Sequence, residues 1–420
     1  MLDEFQRDEA LIHFQRGLVL ERANRVQEAV EEYRRAIARY PHLREAHDAL
    51  GFYYQRYGLL AKAAEEFRVV ANLEGDFLSH FNLGYVLLEL NRYDEALEAF
   101  QYCLKIERDD PATHYEVGLI RFVRGEYQAA LEELRVPLQS YPKDWEVHSL
   151  IGRCHLRIGN YDEALIAFGK ALRLALRPSA QAEVIEHICT VERYREIGAP
   201  RWAKDRLYAD YGVVYLGSAQ DDGIKLQEAQ DYHFTYPDIG VSLRRFLALV
   251  NGCDWYFTCV VALDRLARPL SDALAYMLDV PQRYADDVDE ADVPLLVLAV
   301  GREAELMDLA LERIPSESVT FCLGLNWLRH SATLPDISAI IARGACSVPW
   351  EPELRRLRSD GAPPEQIEAC LQRATEQILA ALDAVPSDDN LSRQIRYYAR
   401  EHQRVRFADV FDGISSVVGI

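Results

Sequence analysis

The 420-residue chain has no CxxC pair among its eight cysteines and no tight His/Cys grouping, so the ligand spacing of a zinc site or a dithiol redox centre is missing. Long apolar runs are missing too. WYFTCVVAL (255–263) and VPLLVLAV (293–300) are the longest, far short of the roughly 18 residues a membrane-spanning helix needs. Basic residues are in deficit: 47 Lys and Arg stand against 67 Asp and Glu, a formal net charge of −20, and both halves are acidic. That leaves no basic face to neutralise phosphates, which argues against nucleic acid and anionic membranes as partners. Phosphate loops of the GxGxxG or GxxxxGKS kind do not occur, nor does HExxH.

The composition that remains is 49% hydrophobic and 27% charged, that of a soluble globular chain long enough for two or three cores. The opening MLDEFQRDEALIHF is acidic and helix-like, so no secretory signal is expected. Thiols scattered from Cys103 to Cys370 read as small core residues in a reducing compartment, which makes a cytoplasmic protein the expectation.

The first half is periodic. Gly17, Gly51, Gly84, Gly118 and Gly152 recur every 33 or 34 residues, and Ala29, Ala63, Ala96, Ala130 and Ala164 keep the same spacing. Four residues past each alanine stands Tyr33, Phe67, Phe100, Leu134 or Phe168, and Pro41, Pro111, Pro142 and Pro178 close several units. The five units lie near 10–43, 44–76, 77–110, 111–144 and 145–178. Each reads as a helical hairpin in which the glycine admits close approach of two helices, and the alanine and aromatic form the facing surface. Segments such as LNRYDEA (90–96) and IGNYDEA (158–164) put Asn and Asp where the chain reverses and a helix needs a cap. One hairpin cannot bury its apolar face, so stacking five builds a continuous core. These residues resemble tetratricopeptide repeats, which pair antiparallel helices over 34 residues. Unit four departs from the pattern, with Leu134 for the aromatic and Pro137 inside the second helix, and a kink is expected there. Residues 179–197 read as a closing helix with apolar positions 184, 185, 188 and 191, broken by Gly198 and Pro200. The expected first domain is therefore 1–198, an α-solenoid.

In this repeat family the first helix of each hairpin lines the concave surface, so the resemblance implies a protein-binding groove. Carried onto this chain, its positions are Phe14, Leu18, Phe52, Phe81 and Tyr85 in units one to three, and Tyr115, Leu119 and Phe122 in unit four. Leu88 and Val123 lie beside them, with Arg22, Arg56, Arg153 and Arg157 nearer the ends. Such an inner face suits a peptide or an amphipathic helix. Chaperone-binding relatives clamp a terminal carboxylate with Lys and Asn. Phe14 and Leu18 stand where two of those polar residues are expected, which argues against that role. The opposing reading is that the chain's own second half fills the groove, or that the aromatics pack between repeats. His13, His47, His80, His114 and His148 form a ladder, each four residues before the glycine. Stacked helices sit about 10 Å apart, too far to share a zinc ion about 2 Å from each nitrogen. Packing is the reading, with a collective pH response as the alternative.

After Pro200 short β-branched and aromatic runs alternate with helical stretches, the pattern of βαβ units. The expected second domain, 199–420, is α/β with a mainly parallel sheet and C-terminal helices. Strands are expected at 213–217, 232–236, 255–263, 293–300 and 319–325, and helices at 239–250, 269–279, 302–314, 363–384 and 390–406. Continuous apolar strands imply a sheet covered on both faces. The segment 259–281, CVVALDRLARPLSDALAYMLDVP, is similar to the strand, loop and helix of phosphoribosyltransferases that contact pyrophosphate. The acidic pair and Thr-Gly with which that family holds the ribose phosphate are lacking. The resemblance thus implies a degenerate relative of that fold without its phosphate chemistry. Parallel sheets bind ligands beyond the carboxyl ends of their strands. The candidate anion-binding residues there are Asp264, Arg265, Arg302, Arg329 and His330, with Gly301 and Asn326 beside them; their competing reading is surface loops and helix caps. The acidic run Asp286, Asp287, Asp289, Glu290 and Asp292 reads as a solvated loop rather than a calcium site.

No complete catalytic motif emerges and no cofactor is implied. Two functions stand. The first is a cytoplasmic interaction scaffold or adaptor, binding a peptide or helix in the groove, with a non-catalytic α/β domain as a second docking module. The second is an enzyme or sensor whose α/β half binds a nucleotide or phosphosugar, the repeats serving recruitment. Self-association of the solenoid is a third option.

Overall fold

The computed structural model describes residues 2–226, 229–302, 304–326, 334–386, 389–399, 405–407 and 410. The chain divides into two compact units, Met1–Ile188 and Cys189–Ile420.

The first unit is a run of helical hairpins: α1 (Leu2–Arg22) with α2 (Val26–Arg39), α3 (Arg44–Arg56) with α4 (Leu60–Glu74), and α5 (Phe77–Glu89) with α6 (Tyr93–Ile106). In the fourth, α7 (Pro111–Val123) meets a divided partner, α8 (Tyr127–Glu133) and α9 (Arg135–Ser140). α10 (Trp145–Ile158) and α11 (Tyr161–Leu174) make the fifth, and α12 (Pro178–Ile197) begins in this unit. The repeat glycines admit close approach of the facing rings. A Cβ placed on Gly51, Gly84 or Gly152 meets a ring carbon of Phe67, Phe100 or Phe168 at 2.6, 2.8 or 2.7 Å, closer than a real methyl sits. In unit four the shorter Leu134 leaves Gly118 looser, at 3.2 Å. The expected kink falls beside it. Pro137 has no N–H, and its ring crowds the carbonyl four residues back, so the second helix breaks at Leu134.

The turns work differently from the sequence reading. Neither Asn91 nor Asn160 caps the following helix by its side chain. Instead Asn24, Gly58, Asn91, Gly125 and Gly159, again spaced by one repeat length, all take a left-handed backbone, with φ from 58° to 90°. Gly and Asn occupy this turn because they adopt that conformation at least cost. Side-chain caps lie at the start of first helices, where the carboxylates of Asp76, Asp110 and Asp144 accept from Ser79, Thr113 and Glu146 N–H at 2.8, 2.7 and 2.9 Å.

The second unit holds a six-stranded sheet of parallel pairs only, in the order β1-β7-β6-β5-β3-β4. Its strands are β1 (Val214–Tyr215), β3 (Cys259–Ala262), β4 (Gln282–Arg283), β5 (Pro294–Gly301), β6 (Val319–Asn326) and β7 (Ile337–Ala342). β2 (Tyr232–His233) pairs with β8 (Cys346–Ser347) in a separate two-stranded ribbon. Helices are α13 (Ala203–Tyr211), α14 (Tyr236–Gly252), α15 (Arg268–Leu278), α16 (Ala304–Arg313), α17 (Glu351–Ser359), α18 (Pro364–Asp383) and α19 (Asp389–Tyr398). β4, β7 and β8 are strands beyond those expected, as α13 and α17 are helices beyond those expected. The strand expected at 232–236 stops at His233, because Thr235 instead caps α14 in a reciprocal box with Asp238. Residues 400–404 of the expected last helix lie outside the described residues.

Both sheet faces are covered, as the apolar strands require. Leu295, Val297 and Phe321 pack with Leu243 and Phe246 of α14, Leu274 of α15 and Ile378 of α18. On the other face Leu298, Cys322 and Ile341 pack with Leu207 of α13 and Met307 of α16. No helix among the described residues is long and apolar enough to cross a membrane.

Candidate protein-binding face and anion cavities

The proposed groove residues sit on α1, α3, α5 and α7. Phe52 and Tyr85 are exposed, at 46% and 39%. Phe14, Leu18, Phe81, Tyr115, Leu119 and Phe122 are half-buried. Each phenylalanine of the proposed groove leans on its hairpin's second helix: Phe14 on Tyr33 (5.7 Å between ring centres), Phe52 edge-on to Phe67 (5.1 Å), Phe81 edge-on to Phe100 (5.7 Å) and Phe122 on Tyr127 (5.6 Å). These rings are thus the outer layer of the hairpin cores, with one edge in solvent. Neighbouring first helices also touch. Gln55 of α3 donates to Glu89 of α5 at 3.0 Å, and the Arg153 guanidinium of α10 lies 4.5 Å from the Phe122 ring centre of α7. α5 packs against α7 as well, so first helices two to five share one surface.

That surface is not purely apolar. Burial, then the nearby Glu146 carboxylate, push the Glu116 carboxyl up to about 7. Burial also raises the Tyr85 and Tyr115 phenols, reinforced by the charges of Glu116 and Glu146. The middle of the face thus combines two tyrosines with acidic groups, a feature hidden from the sequence reading because Glu116 stands one residue off the family's groove positions.

The histidine ladder resolves into pairs. Nδ1 of His13, His47 and His114 bonds Glu32, Glu66 and Glu133 at 2.7, 2.6 and 2.8 Å, always nineteen residues on. Nε2 of His47, His114 and His148 meets the carbonyls of Pro41, Arg108 and Pro142 at 3.0 Å. In units three and five the glutamate position holds Ala99 and Ala167, and His80 stacks on Tyr102 at 3.9 Å instead. The spacing of nineteen was a readable signal. No group of three or more metal-ligating residues occurs among the described residues.

The anion-binding candidates separate. Asp264 and Arg265 line a cavity of about 610 Å³ beyond β3 and β4. Arg302 lines another, of about 490 Å³, with Asn326 and Glu351. There its guanidinium is already committed: two bonds of 2.7 and 2.8 Å to Glu351 and one of 3.1 Å to the Cys346 carbonyl. Arg329 and His330 lie outside the described residues. Asp264 accepts from Ala267 N–H at 2.7 Å, so the entry to α15 carries its own carboxylate. In the acidic run Asp292 is structural, accepting from Thr258 at 2.8 Å and Arg283 at 2.5 Å.

Models of the tetratricopeptide repeat match residues 10–43, 77–110 and 145–177. No curated protein matches the chain. Among solved structures, the MamA protein is 22% identical over 40% of this chain and 98% of its own, with a TM-score of 0.38. A MamA fragment from Desulfovibrio magneticus RS-1 is 20% identical over 40% of this chain and 95% of its own, with a TM-score of 0.38. YrrB, described as a TPR protein with an unusual peptide-binding site, is 18% identical over 41% and 90%, with a TM-score of 0.38. None of these matches supports the phosphoribosyltransferase resemblance of residues 259–281. The N-terminal part of the chain is a set of tetratricopeptide repeats, followed by an α/β unit with an all-parallel sheet.

Proposed function

We propose that the protein is an interaction scaffold whose first-helix face, from Phe52 through Tyr85 and Tyr115 to Phe122, binds a peptide or amphipathic helix of a partner protein. The observation that carries this is the row of ring edges left in solvent on helices that share one surface. Aromatic anchors with adjacent charge are the composition of peptide-binding hot spots. Glu116 and Glu146 beside Tyr85 favour a partner segment carrying a basic side chain among its apolar ones.

The test is selection of a displayed peptide library on the full chain and on a Phe52→Glu/Tyr85→Glu variant, whose substitutions fall at exposed positions. Peptides enriched by the wild type, apolar with interspersed Lys or Arg, and lost by the variant are the expected result. Enrichment of the same peptides by both proteins, or of none by either, contradicts the reading.

A further inference from the structure

The two cavities beyond the carboxyl ends of the parallel strands differ in what their charges are doing. Around Arg302 the cations are spent on Glu351, which also takes Arg355 at 2.6 Å. In the larger cavity Arg265 is exposed and makes no hydrogen bond or ion pair among the described residues. Arg268 stands three residues on, paired with Asp272 at 3.0 Å and also under the charge of Glu368, while Asp264 lines the same cavity. The facing wall comes from α18, with Pro364, Ile367 and Leu371, and from the Tyr284 ring, 72% exposed. Glu368 adds an exposed carboxylate acceptor on that wall.

The cavity lies at the carboxyl ends of β3 and the edge strand β4. From β3 the chain runs outward to β4, then returns to lay β5 on the other side of β3. α15 packs on the face of α14 and α18, and α16 packs on the face of α13. The strand order reverses between β3 and β5, one strand inward of this cavity, whose lining comes from the ends of β3 and β4 with α15 and α18; parallel sheets carry ligand sites beyond such strand ends. A volume of about 610 Å³ suits a small ligand.

We infer that this cavity binds a nucleoside monophosphate, with the phosphate on Arg265 and Arg268, the base against Tyr284 and Ile367, and ribose hydroxyls donating to Glu368. Guanidinium forks match phosphate oxygens, and a phenol ring offers a flat face to a base. The inference belongs to the α/β unit alone and does not rest on the repeat face.

Calorimetric titration of the full chain with AMP, GMP, CMP, UMP and inorganic phosphate tests it. At least one of the four monophosphates should bind with Kd below about 1 mM and about tenfold tighter than inorganic phosphate. Arg265→Ala should weaken that binding about tenfold, the order expected for a charged hydrogen bond. Tyr284→Ala should weaken it too, and Arg355→Ala, in the neighbouring cavity, should not. The inference is overturned if no monophosphate binds in that range or if inorganic phosphate binds as tightly. It is equally overturned if Arg265→Ala has no effect or Arg355→Ala weakens binding equally.

Discussion

In the repeats, the contacts that hold a hairpin together link residues sixteen or nineteen apart, such as Gly51 with Phe67 and His47 with Glu66. In the α/β unit they link residues far apart in the chain. Tyr215 N–H donates to the Tyr398 hydroxyl 183 residues on, at 2.7 Å, and the Tyr397 hydroxyl donates to Asp205 over 192 residues, at 2.7 Å. Buried charge follows the same division. The repeats bury His47 and Glu32, each bonded to a partner nineteen residues away in its own hairpin, whereas the α/β unit buries Lys204 completely, with Nζ donating to the Tyr215 and Gly223 carbonyls at 2.9 and 2.7 Å. Its ammonium also lies under the Tyr397 and Tyr398 rings, and burial holds its pKa well below that of a free lysine. The lesson concerns where specificity is stored: in a short motif written five times, or in single polar contacts written once.

The sharpest way to break this contrast is to remove one such contact. Arg245 is buried and bonds the Asp221 carboxylate, the Asp221 carbonyl and the Leu216 carbonyl at 2.7, 2.7 and 3.0 Å. Arg245→Met strips the Asp221 carboxylate of its cation, leaving it the Ser218 and Gly223 N–H donors, and should destabilise the α/β unit by about 3 kcal/mol or more. Denaturant titration read by hydrogen exchange on its peptides should show that loss, with the repeat peptides unmoved. A smaller effect is expected in the repeats. Gly84→Ala drives a methyl into Phe100 and should cost about 1–2 kcal/mol even after the helix-propensity gain. Gly118→Ala, facing the flexible Leu134, should be near neutral, and equal losses at both sites contradict the packing account.

Two histidines sharpen the comparison further, with opposite signs. His187 stacks on Phe168 at 5.1 Å with Nδ1 buried and unbonded, and burial with the charges of Arg153 and Arg157 lowers its pKa to about 4. A base depressed on folding stabilises the folded state above about pH 6.5, and that stability is lost as pH falls toward 4. His187→Leu should therefore narrow the stability gap between pH 8 and pH 5 in the repeat peptides. Burial also lowers His47, but the Glu66 carboxylate and the Pro41 carbonyl outweigh it and the net shift is upward. Its contribution is complete below about pH 6.5 and is lost as pH rises through the folded value. Glu66→Gln should cost about 1 kcal/mol at pH 5.5 and less at pH 8.

This division also governs what could be read from the residues. The repeat lengths, the glycine–aromatic contact and the break near Pro137 were legible because each depends on neighbours within one unit. The left-handed turn position was equally periodic, but Asn there reads as a cap until backbone angles are known. β7 was not expected although its six residues outnumber those of β1 and β3; it is held by pairing with β6 and β1. Arg302 shows the same limit: nothing local to Gly301–Arg302 reveals that Glu351 will take its charge. Arg268 and Tyr284 join Arg265 in one cavity only once β3 and β4 are paired.

The most direct test of the proposed binding face is a hydrogen-exchange footprint of the full chain with a peptide selected as above. Protection should appear in α3, α5 and α7 and be absent with the Phe52→Glu/Tyr85→Glu variant. Protection confined to the second helices of the hairpins, or to the α/β unit, would contradict the account.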